Sequence, residues 1–139
     1  MEGTQMKKIF VIMILVLTLS QVFAQIQWSE KVTIRQGVNI EWSRAAAPME
    51  DGSVIYVWSD TRFGDRDLWA QKVDAAGNMV WGDEAVLVNG MINRQEDPVV
   101  INVGDGGVVI AWVDFRNEDA GDIYAQKLDS SGNILWDAS

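Results

Sequence analysis

Apolar residues fall in short runs broken by glycine and aspartate, and in some of these runs apolar and polar positions alternate with a period of two. Over Asp122–Leu128, Tyr124, Gln126 and Leu128 fall on one face and Ile123, Ala125 and Lys127 on the other. That is the pattern of a half-buried strand. Val108-Val-Ile-Ala-Trp-Val113 is apolar on both faces, so it predicts a strand that needs cover on both sides. Val99-Val-Ile-Asn-Val103 predicts a strand that follows Pro98, because proline is tolerated where a strand begins and its missing N–H is not needed. Asp51-Gly52 and Asp105-Gly106 supply the positive φ of a tight hairpin. Asp74-Ala-Ala-Gly-Asn78 and Asp129-Ser-Ser-Gly-Asn133 are turns with glycine in the left-handed position. A fourth strand is read from Asn78-Met-Val-Trp81 running toward Val86–Val88.

These elements recur. Asp51-Gly-Ser-Val-Ile-Tyr-Val-Trp58-Ser-Asp60-Thr-Arg62 matches Asp105-Gly-Gly-Val-Val-Ile-Ala-Trp112-Val-Asp114-Phe-Arg116 at an offset of 54. One inserted residue later, Asp67-Leu-Trp-Ala-Gln-Lys-Val-Asp74 and its turn to Trp81 match Asp122-Ile-Tyr-Ala-Gln-Lys-Leu-Asp129 and its turn to Trp136 at an offset of 55. The prolines at 48 and 98 each precede a copy. A partial third copy aligns Trp28–Gly37 with Trp81–Gly90. Trp58, Asp60, Arg62, Trp81 and their counterparts Trp112, Asp114, Arg116, Trp136 are therefore repeat positions.

Four antiparallel strands in about 50 residues is the size of a β-propeller blade. A lone four-stranded sheet cannot bury both faces, and stacking between like neighbours does so. A two-sheet β-sandwich meets the strand count as well, but blade-length repetition is the cue for a propeller. The expected fold is all-β, with about two propeller-like repeats. Its divisions are a leader at 1–24, a segment with a partial repeat strand at 25–44, and repeats at 45–94 and 95–139, the second incomplete at its last strand. Propellers use about four to eight blades. The chain is thus expected to be a piece of a longer protein, or to associate with further copies, and a stop inside the predicted fourth strand favours the first. Residues 28–37 could supply that strand to another copy.

The leader is legible by itself. Lys7 and Lys8 precede an apolar run from Ile9 to Leu19, followed by Val22-Phe-Ala24 with small residues at the −3 and −1 positions. That is a secretory signal with cleavage after Ala24, and the run is short of the ~20 residues that span a bilayer. The destination is extracellular or the cell surface, with no membrane span after cleavage.

Composition then narrows the chemistry. The chain of 139 residues has no Cys and no His, which removes disulfides, thiolates, and the commonest general base and metal ligand. A net charge of −9 argues against nucleic acid, whose phosphates need clustered basic groups. Seven tryptophans provide for a packed core.

The elements Trp-x-Asp-x-Arg, Asp-[Ile/Leu]-[Tyr/Trp]-Ala-Gln-Lys and Asp-x-x-Gly-Asn-x-x-Trp resemble repeats found in tandem in large secreted bacterial proteins, many of which carry a C-terminal sorting domain. The Asp-x-x-Gly-x-x-x-Trp part is distantly similar to the Asp-box of sialidase-like propellers. It departs from that box in its longer Asp-to-Gly spacing and in lacking Ser or Thr before the aromatic. The resemblance spans residues 28–136 and implies a repeat type rather than an activity.

No catalytic residue is assigned. Asp60/Arg62 and Asp114/Arg116 could serve as a substrate-binding arginine with a carboxylate partner, as in a sialidase-like centre. Their presence in both copies favours a structural ion pair. The acidic loops Asp60…Asp65, Asp67 and Asp114…Glu118, Asp119, Asp122 could hold Ca²⁺, although their spacing differs between copies and the plainer reading is solvated loop tips. No other cofactor is expected. Trp42 and Tyr124 are the candidate ligand contacts, and the non-repeated polar positions are Glu41, Trp42, Arg94 and Glu118. The expected function is a secreted repeat scaffold or binding module that meets further repeats in cis or copies in trans, or an extracellular protein or glycan. The alternatives are a fragment of a glycan-active propeller enzyme and a cell-surface carbohydrate-binding unit. The exported chain is expected to begin at Gln25, which N-terminal sequencing of secreted material reads directly.

Overall fold

The computed structural model describes residues 30–34, 43–117 and 119–137. The leader, Trp28, Glu41, Trp42 and Glu118 lie outside the described residues. The rest is all-β. Seven strands run β1 (Arg44–Pro48), β2 (Val54–Asp60), β3 (Asp67–Val73), β4 (Val86–Asn89), β5 (Gln95–Asn102), β6 (Val108–Asp114) and β7 (Asp122–Leu128). They form two antiparallel meanders, β1-β2-β3-β4 and β5-β6-β7. Among the described residues there is no helix long and apolar enough to cross a membrane.

The pairing registers repeat. Val54–Asp60 pairs residue by residue with Val73–Asp67, and Val108–Asp114 pairs in the same way with Leu128–Asp122. Gly52 and Gly106 hold φ of 80° and 82° in the hairpins between the first two strands of each sheet, where a side chain would be strained. Each Asp-x-x-Gly-Asn turn leads to one isolated bridge, Val73–Met79 and Leu128–Ile134.

Two strand assignments need correction. The first strand does not start after the proline. Pro48 ends β1 and pairs with Val54, whereas the residue that pairs with Val108 is Asn102. Pro48 is therefore equivalent to Asn102, and the two prolines are not counterparts. Pro98 lies within β5, where the register shifts between Glu96 and Val99 and Asp97 takes φ 51°. A bulge accommodates a residue with no N–H to offer the ladder. The fourth strand is also displaced. Asn78–Trp81 contributes only the bridge at Met79, and β4 begins at Val86, so the positions equivalent to β4 in the second sheet fall past residue 139. Trp136, the counterpart of Trp81, therefore does not lie within a strand.

The two sheets pack on each other. Ile55, Val57, Leu68, Ala70 and Val88 of the first form one core with Val108, Ile110, Trp112 and Leu128 of the second, and Val86, Val100 and Tyr124 pack against it. β5 runs against β1, and the contacts join counterparts. The Asp97 N–H donates to Ser43 Oγ (3.0 Å) and Asn102 Nδ2 to the Pro48 carbonyl (3.5 Å), each pair 54 residues apart. Trp81 bridges the outer part of the interface. Its indole Nε1 donates to the Ser130 carbonyl at 3.1 Å, and its ring lies over Gly132, where an added Cβ would come within 2.9 Å.

Trp81 is 9% exposed and its counterpart Trp136 45%. Truncating a buried Trp costs about 3–5 kcal/mol, and a half-exposed one far less. Trp81→Ala is expected to lower unfolding free energy by ~3 kcal/mol and Trp136→Ala by less than ~1 kcal/mol. Urea denaturation of the two variants checks the contrast.

Candidate functional site

Each Trp-x-Asp-x-Arg segment closes into a knot at the end of the sheet's second strand. Asp60 Oδ2 accepts from Trp58 Nε1 at 2.9 Å, and the carboxylate accepts from Arg62 Nε, Nη2 (2.6 Å) and the Arg62 backbone N–H. The second copy repeats this, with Trp112 Nε1 to Asp114 at 3.0 Å and Arg116 Nη2 to Asp114 at 2.7 Å. Both aspartates are fully buried. The guanidinium groups then lie on aromatic faces, Arg62 at 3.7 Å from the Trp69 ring and Arg116 at 4.1 Å from that of Tyr124, a favourable cation–π arrangement. Burial opposes the charged carboxylate. The arginine, the indole and the arginine backbone N–H outweigh it and hold Asp60 and Asp114 below the usual carboxylate value.

The other repeated polar residues are occupied in the same way, including glutamines and lysines whose spacing alone gave them no role. Gln71 Oε1 accepts from the N–H groups of Lys72 and Trp81, and its Nε2 donates to Gly82 O. Gln126 accepts from Lys127 and Trp136 in the second sheet. Each glutamine thus staples the third strand to the tryptophan beyond the turn. Lys72 reaches back to Asp51 at 2.9 Å and Lys127 to Asp105 at 2.7 Å, tying the third strand to the Asp-Gly hairpin. Asp74 and Asp129 accept from the side chain and backbone N–H of Asn78 and Asn133, which lowers both carboxyl pKa values. The shared offset was the signal for these ties, but the partners needed the register.

Tyr124, a candidate ligand contact, packs against the core. Its ring stacks on Trp112 at 6.3 Å, and its hydroxyl accepts from Asn117 Nδ2. Among the candidate carboxylates, Asp67 pairs directly across from Asp60. Burial first, then the charges of Asp65 and Asp60, raise its pKa. Among the described residues, no three acidic side chains converge to hold a metal ion.

A cleft of about 340 Å³ opens between the two sheets, at the loops that follow β2, β4 and β6. Asp65, Arg66, Asn93, Arg94, Phe115 and Asp119 line it. Backbone bonds from Gln95 N to Arg66 O (2.8 Å) and from Phe115 N to Arg94 O (3.1 Å) join the loops. Arg66 pairs with Glu96, Arg94 Nε approaches Glu96 at 3.4 Å, and the Arg94 guanidinium lies 3.8 Å from the Phe115 ring. Arg94 is half-exposed. Of the non-repeated positions, it is the one among the described residues, and it lines this inter-sheet cleft. Such a site offers hydrogen bonds, the carboxylates of Asp65 and Asp119, and a partly neutralised pair of cations.

Comparison with protein families, with curated proteins and with solved structures finds no match.

Because Asp60 and Asp114 have depressed pKa values when folded, their stabilisation is present above the unfolded value of about 3.9 and is lost as pH falls below it through the folded values. Asp67 has the opposite sign, stabilising most when protonated. Asp60→Asn leaves the enclosed Arg62 without its counter-charge, a change worth about 3–5 kcal/mol in buried pairs. It is expected to destabilise the protein by that order at pH 7 and to flatten the loss of stability below pH 4. Urea titrations across pH check both effects.

Proposed function

We propose that this chain is an exported, non-enzymatic scaffold built from propeller-like repeats, which binds through the loop ends of its stacked sheets. The observation that carries the reading is the set of contacts between counterparts 54 residues apart, Ser43 with Asp97 and Pro48 with Asn102. Counterparts meet in this way when like sheets stack in register around a common direction, as blades do. Trp81 on Gly132 repeats the theme farther out.

Several features favour a scaffold over a glycan-active enzyme. The arginines that a sialidase-like centre would offer to an anionic substrate are each engaged by an aspartate and an aromatic ring. Both copies carry the same arrangement, as expected of a part that holds each repeat together. The cleft at Arg66 and Arg94 lies where neighbouring repeats meet and their loops vary, the usual location for binding on a rigid scaffold. Export follows from the charged and apolar leader, and the partners are accordingly extracellular proteins or glycans, or further repeats.

Fractionation of cells expressing the chain is expected to find it outside the cytoplasm. Sialosides and other glycosides are expected to show no turnover above a buffer blank. Retention in the cytoplasm, or turnover that Arg62→Ala abolishes, would overturn the proposal.

A further inference from the structure

We propose that the cleft on the far side of the first sheet binds an organic carboxylate with an apolar body, held at its mouth by Arg44 and Lys31. The site is separate from the inter-sheet cleft and does not depend on how the repeats stack.

Charge pairing singles out the place. Arg62, Arg66, Lys72, Arg94, Arg116 and Lys127 each have a carboxylate partner. Lys31 and Arg44 have none among the described residues. Both of these cations line one cleft of about 390 Å³, within the range of about 300–1,000 Å³ that small-molecule sites occupy. Among the described residues no acidic side chain lines it. In a chain of net charge −9, two cations without counter-charges at one cleft make a local field that draws an anion. Arginine presents a planar fork that a carboxylate matches with two hydrogen bonds, and lysine adds a point charge.

The rest of the lining suits an apolar body. Arg44 lies across from Trp58 in the ladder, so the two side chains leave the sheet on the same side. Tyr56, two residues away along β2, shares that side. Ile55 and Val57 point the other way, into the core between the sheets. Val32, Thr33 and Ile34 complete the lining. Lys31 and Arg44 are exposed, Val32, Ile34 and Tyr56 half-buried, and Trp58 buried. Charge therefore stands in water while rings and aliphatic groups lie deeper. An amphipathic anion gains most from that order, because its apolar part leaves water and its charge stays hydrated and paired.

The repeat breaks at these positions. Lys31 stands where the next copy has Glu84, Arg44 where it has Pro98, and Tyr56 where it has Ile110. On the second sheet Ile110 and Trp112 are buried in the shared core. The first sheet keeps the tryptophan, as Trp58, and surrounds it with two cations and a phenol. A structural role common to both copies does not call for those changes, whereas a ligand particular to this face does.

Calorimetric titration of the purified protein with 2-naphthoate, a carboxylate on two fused rings, is expected to show saturable binding of one molecule per chain. Arg44→Gln is expected to weaken it about tenfold and Lys31→Gln about threefold, as befits loss of charge-assisted hydrogen bonds. Lys127→Gln removes the same charge from a pair at the Asp105 hairpin and is expected to leave the affinity unchanged. Because Lys31 and Arg44 are exposed, their variants are expected to keep the wild-type far-ultraviolet circular dichroism. The neutral relative 2-naphthylmethanol is expected to bind about tenfold more weakly than 2-naphthoate. Absence of saturable 2-naphthoate binding overturns the inference. So does wild-type affinity in the variant carrying both Arg44→Gln and Lys31→Gln, or equal affinity for the neutral alcohol.

Discussion

The contact between the two sheets is the constraint from which the rest follows. β2 is apolar on both faces, and β3 is buried along its whole length. A single layer of four strands cannot dry both sides of such strands, so one face must be met by another layer. Ile55, Val57 and Leu68 find that layer in the second repeat. Because the layer that covers them is a copy of their own, the geometry of one contact is the geometry of the next. Gly132 illustrates the demand for fit: its missing side chain is the space the Trp81 ring fills.

The polar residues of the repeat keep each sheet rigid enough for that contact to be reproducible. Buried Asp60 and Asp114 would be costly alone, but each accepts from an indole and an arginine. Gln71 and Gln126 hold the chain beyond the turn against the third strand, and so aim the tryptophan that follows. Little of this polar capacity remains for a ligand. At the inter-sheet cleft the loops are tied as well, with Arg66 and Arg94 sharing Glu96.

Much of the fold was legible from spacing. The strands Val54–Asp60, Asp67–Val73, Val108–Asp114 and Asp122–Leu128 were evident as repeated runs between Asp-Gly and Asp-x-x-Gly-Asn turns. The prolines misled, because the two sit at different positions of the repeat and Pro98 is absorbed by a bulge that only the pairing register reveals. The fourth strand was placed too early, since Asn78–Trp81 carries a strand-like composition but is held by a glutamine side chain and one bridge. Arg94 was noticed for its lack of a counterpart. Its approach to Arg66 and Phe115 depends on three loops far apart in sequence.

By itself, the sequence determined the all-β class, the repeat and its offset, and the residue types, with no Cys and no His among its 139 residues. These follow from local rules: period-two alternation, turn residues that accept positive φ, and residue types present or missing. Only the tertiary structure decided which apolar face is covered, which carboxylate meets which cation, and which of two equivalent tryptophans is buried. Trp81 and Trp136 share the same local motif, and what separates them is the presence of a neighbouring repeat across the chain. No local pattern encodes that difference, because burial is a property of the layer on the other side.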